Sequence, residues 1–198
     1  IIAEAGVNHN GSLDLAKKLV DAAVEAGVDA VKFQTYRTRD LILTQIEKAS
    51  YQKVTTSAGE TQTQMLQRLE IDRDFHLELI RYCRERNILF LSTCYEEASL
   101  NLLIELGVPA IKIASTDTTN LLFLEKVAQT GLPVILSTGM STLSEIRQAY
   151  QCLRDNGWHE LSLLKCTSNY PTAPGDVNLR AMVTLCAPAS SSRSTAEA

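Results

Sequence analysis

The chain has 198 residues, 45% of them apolar and 21% charged, with nine glycines and five prolines. Those proportions describe a globular domain with a substantial core and exclude a disordered or fibrous chain. A formal charge of −4 leaves no basic footprint for nucleic acid, so an anionic ligand has to be held by local cations. No apolar run is long enough to cross a bilayer and nothing resembles a signal peptide, so no membrane partner is expected. The five cysteines (Cys83, Cys94, Cys152, Cys166 and Cys186) are odd in number and form no CxxC pair. Reduced thiols in a cytoplasmic protein are the simpler reading. The chain opens at Ile1 without Met, inside an apolar run, which suggests further residues upstream.

Residues 1–5 form an apolar run of strand length, followed by the turn-forming Asn8-His9-Asn10-Gly11. Ser12 is a plausible N-cap for a helix over 13–26 with Leu15, Leu19 and Ala22–Ala23 on one face and Gly27 as its stop. A second strand spans 30–34. The stretch 35–73 is polar, rich in Thr, Gln and Ser, and far longer than an ordinary βα connection; it is expected to shape a substrate pocket or a subunit contact. A helix over 74–86 carries Phe75, Leu79 and Tyr82 on one face, and a strand follows at 88–92.

Further on, a helix over 97–106 stops at Gly107 and leads to a strand at 110–114. The next helix, 120–129, ends near Gly131 and precedes a strand at 134–137. Thr142 or Ser144 caps a helix running to about residue 156, and the last strand is 161–166. Residues 186–198 are Ser/Ala-rich and read as an unstructured tail behind a domain over 1–185.

The six strands are apolar throughout rather than alternating, the pattern of a parallel sheet covered on both faces. With helices between them, they imply a doubly wound sheet or most of a barrel. GxGxxG is absent, and polar residues stand at nearly every strand's carboxyl end, which is where a barrel gathers its active site. The expected fold class is α/β, a parallel (β/α)8 TIM barrel truncated to about six βα units.

Two lysines, Lys32 and Lys112, lie inside these apolar strands. A buried ammonium needs an opposite charge. The alternatives are a structural ion pair with Glu4 or Asp117, snorkelling to the rim, or a shared anionic ligand. Ser92, Thr93, Ser115, Ser137 and Thr138 end strands; singly each is an ordinary cap or turn former, while together they offer a phosphate cradle around two cations. His9 reads as a surface turn residue, and His76 and His159 have nothing metal-like around them in sequence.

Several segments, in order, resemble the sialic acid synthase family, which includes N-acetylneuraminate, legionaminic and pseudaminic acid synthases and spore-coat polysaccharide synthesis proteins. They are Ile2-Ala3-Glu4-Ala5-Gly6-Val7-Asn8-His9-Asn10-Gly11, Val31-Lys32-Phe33-Gln34-Thr35, Ile111-Lys112-Ile113-Ala114-Ser115, Leu136-Ser137-Thr138-Gly139-Met140 and Cys166-Thr167-Ser168-Asn169-Tyr170-Pro171-Thr172. The resemblance runs from residue 1 to about 185. It implies condensation of phosphoenolpyruvate with an N-acetylmannosamine-like amino sugar, giving a sialic-type acid and phosphate.

By that resemblance Lys32 and Lys112 hold the charge of phosphoenolpyruvate, and Thr93, Ser115, Ser137 and Ser168 contact its phosphate. Gln34 and Tyr170 line the sugar side. Glu4 assists proton transfer, and Asp117 stands where the family usually has Glu. The family's divalent metal, Mn2+ or Mg2+, is held by histidines beyond the end of this chain, and full-length relatives are homodimers. Cys94 and Lys165 depart from the family's usual Pro and His. The missing strands and metal ligands imply impaired turnover for the chain alone. Two other readings are a non-catalytic anion-binding or interaction module, and a Schiff-base aldolase using Lys32 or Lys112.

Overall fold

The computed structural model describes residues 1–41, 61–157, 160–169 and 171–186. Six strands alternate with helices: β1 (Ile2–Gly6), β2 (Ala30–Thr35), β3 (Leu89–Cys94), β4 (Ile111–Ile113), β5 (Val134–Ser137) and β6 (Leu161–Leu164). The helices are α1 (Leu13–Glu25), α2 (Thr38–Leu41), α3 (Gln62–Leu69), α4 (Arg73–Glu85), α5 (Glu97–Glu105), α6 (Leu121–Gln129), α7 (Leu143–Asp155) and α8 (Ala181–Cys186). The strands follow one another in the sheet in chain order, and the pairs β1–β2, β2–β3 and β5–β6 are parallel. Strand–helix–strand steps between parallel neighbours are the connectivity of a βα barrel.

Local chemistry explains the boundaries. Ser12, Thr61, Asp72, Asn120 and Thr142 each accept a hydrogen bond from the third backbone N–H of the helix they open. Thr61 with Gln64 and Thr142 with Glu145 complete reciprocal capping boxes. Thr142, not Ser144, is therefore the cap of α7. The 35–73 stretch is not wholly irregular: α2 and α3 lie in it, while its residues 42–60 fall outside the described ones.

The chain divides into two compact units, Ile1–Lys112 and Ile113–Ala198. In the first, Ala16, Val20 and Ala23 of α1 and Leu79 and Cys83 of α4 are buried together with Val31, Phe33 and Phe90 of the strands. Phe33 and Phe90 stack with ring centroids 5.8 Å apart. In the second, Leu124 and Val127 of α6 and Ala149 and Leu153 of α7 are buried, as is Leu136 of β5.

Four expectations change. The buried stripe of α1 is Ala16, Val20 and Ala23, with Leu15 left 39% exposed. The apolar arc is broad, and its small residues, which permit close approach to the sheet, take the centre. On α4 the buried face is His76, Leu79, Ile80 and Cys83, with Phe75 and Tyr82 only half-buried at its margin. Covering on both faces holds for the inner strands but not for β1 and β6, whose patterns mix exposed and covered positions as sheet edges do. Cys186, assigned from sequence to the tail, closes α8; residues 187–198 lie outside the described ones.

Candidate functional site

Period-two alternation decides which strand residues can share a site. On β2, Lys32 and Gln34 point to one face and Phe33 and Thr35 to the other. In the parallel register Glu4 lies opposite Lys32, Lys32 opposite Leu91 and Gln34 opposite Thr93. The Lys32 ammonium, buried at 8% exposure, forms an ion pair with the Glu4 carboxylate and donates to Thr93 Oγ1 at 3.0 Å. Glu4, Lys32 and Thr93 are thus one cluster at the carboxyl ends of β1–β3, and Gln34 projects from the same face one step further along. The structural ion pair weighed from sequence does form, with Glu4 as the partner. Two of the ammonium's three N–H donors are engaged, which leaves one for an anion.

A register shift after Glu4 sets this geometry. Glu4 pairs with Lys32, but Gly6 pairs with Phe33, so β1 bulges at Ala5. Gly6 sits at φ 55°, and a Cβ there would lie 3.2 Å from Glu4 Oε1. Only glycine both tolerates that backbone and leaves the carboxylate its room.

Lys112 is buried at 5% exposure in β4, the last residue of the first unit. Within the second unit, Ser115 and Asp117 occupy a 3-10 turn after β4 and are half-buried. Desolvation of Asp117 outweighs its hydrogen bonds from Thr116 and Asn120 and raises its carboxyl above the ordinary aspartate range. Ser137 ends β5, buried, and its carbonyl accepts from Thr118 Oγ1 at 2.9 Å. Ser168 is exposed and donates to the Gly139 carbonyl at 2.7 Å. Tyr170 and His159 lie outside the described residues. Lys165 donates to Thr167 Oγ1 at 2.8 Å and to the Val177 carbonyl, tying down the loop that follows β6.

Two of the strand-terminal hydroxyls weighed for a phosphate cradle have structural partners. Ser92 faces the helices: its Oγ is 2.6 Å from Thr35 Oγ1, which lies 2.8 Å from His76 Nε2 of α4. Thr138 is likewise spent, with Oγ1 donating to the Leu164 carbonyl at 2.9 Å. For these two the ordinary structural role is the one observed.

Sequence reasoning missed the histidines. His9, expected at the surface, is fully buried between Phe33 and Phe75, with ring centroids 6.2 and 5.4 Å away. Its Nδ1 accepts from the Gly11 N–H at 3.0 Å, and its Nε2 is buried without a hydrogen-bond partner. Burial, and secondarily the neighbouring His76, holds its pKa below the ordinary imidazole value. His76 is lowered chiefly by burial too. The signal available in sequence was only the apolar company of each, Phe75 beside His76 and Val7 before His9. Among the described residues no cluster of three or more His, Cys, Asp or Glu side chains could hold a metal. These described residues do not fit one. The Cys83 thiol is pushed up to about 12 by burial and is no nucleophile.

Six strand–helix units in parallel βα-barrel order, with Glu4, Lys32 and Thr93 joined at the strand ends, define the class of protein. The NeuB family model matches residues 19–189, and the chain belongs to that family. It is 48% identical over 187 residues to an N,N'-diacetyllegionaminic acid synthase of Campylobacter jejuni, covering 93% of this chain and 56% of the relative. It is also 48% identical to the enzyme of that name from Legionella pneumophila, covering 93% of this chain and 53% of that one. Among solved structures, an N-acetylneuraminic acid synthetase from Leptospira borgpetersenii, crystallised with citrate, superposes with a TM-score of 0.79 at 36% identity, over 93% of this chain and 59% of that chain. The chain spans little more than half the length of these curated relatives. Among the described residues no helix is long and apolar enough to cross a membrane.

Proposed function

We propose that this chain is the phosphoenolpyruvate-binding part of a cytoplasmic nonulosonic acid synthase that condenses phosphoenolpyruvate with an N-acetylmannosamine-like amino sugar. The observation that carries the reading is the buried Lys32 ammonium, held between Glu4 and Thr93 with one donor to spare. Family membership supports the reaction class. In this reading Lys32 and Lys112 supply the positive charge that receives the acid, and Thr93 contacts its phosphate. Such preorganised donors act most strongly where water is excluded.

The sugar's aldehyde carbon is attacked by C3 of the enol, forming one carbon–carbon bond. Water adds at C2, the C2–O bond to phosphate breaks, and inorganic phosphate leaves. Gln34 lines the sugar side. Glu4 is the first acid–base candidate; its carboxylate pairs with Lys32 and its side chain is 39% exposed. Asp117 holds a proton more readily than an ordinary aspartate and is the second acid–base candidate. A divalent metal, if the whole protein uses one, would need ligands from outside the described residues and would supply Lewis-acid chemistry.

The test is calorimetric titration of phosphoenolpyruvate into the protein and its Lys32→Met and Lys112→Met variants. Saturable binding, weakened at least tenfold in each variant, is expected. Variants that bind like the unaltered protein refute the reading. For the whole protein, phosphate release should depend on the amino sugar as well. The aldolase alternative makes the opposite prediction, a covalent adduct with a carbonyl substrate on borohydride treatment. Lys32 is poorly suited to it, since its amine is engaged by Glu4.

A further inference from the structure

The face of β2 and β3 opposite the lysine cluster carries a hydrogen-bonded chain with a direction. His76 Nδ1 lies 2.6 Å from the carbonyl oxygen of Asp72, the N-cap residue of α4. A carbonyl only accepts, so Nδ1 carries the proton. In the neutral ring Nε2 is then a bare acceptor, and Thr35 Oγ1, at 2.8 Å, must donate to it. With its own proton committed, Thr35 accepts from Ser92 Oγ at 2.6 Å. The order is fixed: Ser92 to Thr35, Thr35 to His76, His76 to the Asp72 carbonyl. His76 and Ser92 are fully buried and Thr35 is 2% exposed, so none of the three can substitute water for its partner. Asp72 raises the pKa of the ring through its carbonyl and its charge, and desolvation, the larger effect, lowers it, which favours the neutral ring and the chain in this direction.

Each relay member on the strands is the backbone neighbour of a cluster residue. Thr35 follows Gln34, and Ser92 precedes Thr93, whose hydroxyl accepts from Lys32. A rotation of either strand about its axis moves both faces together, because successive side chains are fixed on opposite sides of one rigid peptide unit. From this the geometry points to His76 as a positioning residue: through Thr35 and Ser92 it clamps the pitch of β2 and β3 so that Thr93 meets the Lys32 ammonium correctly. His76 itself touches no ligand. The inference rests on the phosphoenolpyruvate reading of the cluster and adds the residue that holds the cluster in place.

Two substitutions separate this role from simple anchoring of α4. His76→Gln retains an amide oxygen near the Nε2 position that accepts from Thr35 but loses the Asp72 bond. His76→Asn retains a donor for Asp72 but does not reach Thr35. If His76 acts through Thr35, then His76→Asn and Thr35→Val weaken phosphoenolpyruvate binding about tenfold, while His76→Gln stays within threefold of the unaltered protein. Leu79→Ala, which loosens α4 without touching the relay, should leave affinity unchanged. In the free proteins, the Thr93 γ-methyl resonance should shift in His76→Asn and Thr35→Val and hold its position in His76→Gln and Leu79→Ala. Equal impairment of the Gln and Asn variants, or an unmoved Thr93 methyl in His76→Asn, overturns the inference. If the unaltered protein fails to bind phosphoenolpyruvate, the functional reading falls, and the Thr93 methyl by itself still decides whether His76 positions the cluster.

Discussion

Replacing Glu4 with Gln should destabilise the protein more than replacing Lys32 with Met, although both remove the same ion pair. The Lys32 side chain is 10% exposed and that of Glu4 39%. Removing the carboxylate strands an ammonium in a nearly dry site, where an uncompensated buried charge costs several kcal/mol. Its remaining bond to Thr93 and the oxygen of the introduced amide offset part of this, and the half-open position of Glu4 lowers the original gain toward that of a surface pair. A loss of about 1–2 kcal/mol is expected for Glu4→Gln. Removing the lysine instead leaves a carboxylate that solvent reaches, while Met fills the space of the lysine stem, for a cost of about 1 kcal/mol or less. The double variant should recover most of the Glu4→Gln loss. Urea unfolding at pH 7, followed by circular dichroism, measures all four members of the cycle. A Lys32→Met variant less stable than Glu4→Gln would refute the reasoning, because the lysine would then be a net stabilising element. The proposed function demands the reverse order in ligand binding, with Lys32→Met the more damaging.

Acidification should weaken the fold from about pH 6.5 downward. Burial depresses both His9 and His76, so the unfolded chain binds protons that the folded one refuses. Each contributes a loss of up to about 1.4 kcal/mol per pH unit between the unfolded value near 6.5 and its lower folded value. Urea midpoints at pH 7.5, 6.5 and 5.5 should fall in that order, less steeply in His76→Gln. Asp117 acts in the opposite sense at lower pH, since its raised folded value favours the folded state as its carboxyl gains a proton. Gly11→Ala should cost more than Gly27→Ala by thermal or urea unfolding. Both glycines have positive φ, 76° and 68°, but a Cβ at Gly11 would come 2.9 Å from the Arg68 carbonyl oxygen, whereas nothing lies within 4 Å of one at Gly27. The backbone term alone is about 1–2 kcal/mol, and equal losses would show that the Arg68 loop yields freely. Thr142→Ala removes the side-chain acceptor of a capping box and should cost about 1 kcal/mol; Thr142→Ser should restore most of it.

Local rules sufficed for most of the fold. Strand-length apolar runs, Ser, Thr, Asp or Asn before a helix and Gly after it act over a few residues. They placed β5 at its observed bounds and the ends of α1, α5 and α6 within a residue of theirs. The parallel barrel-type connectivity followed from strands apolar on both faces. The polar residues within and after the apolar runs likewise put Glu4, Lys32, Gln34 and Thr93 at the carboxyl ends of three strands, and period-two alternation puts Lys32 and Gln34 on one face.

What the sequence could not decide is which of two adjacent hydroxyls serves which side. Ser92 and Thr93 differ by one residue, and only the strand register sends Thr93 to Lys32 and Ser92 to Thr35 and His76. His9 and His76 read as ordinary polar residues, since their burial depends on Phe33, Phe75 and Phe90 arriving from separate segments. Composition and motif set which chemistry the chain carries, because they depend on residue type and short spacing alone. Tertiary structure decided which side chains share that chemistry and which are spent holding it, because burial and hydrogen-bond direction exist only once distant segments meet.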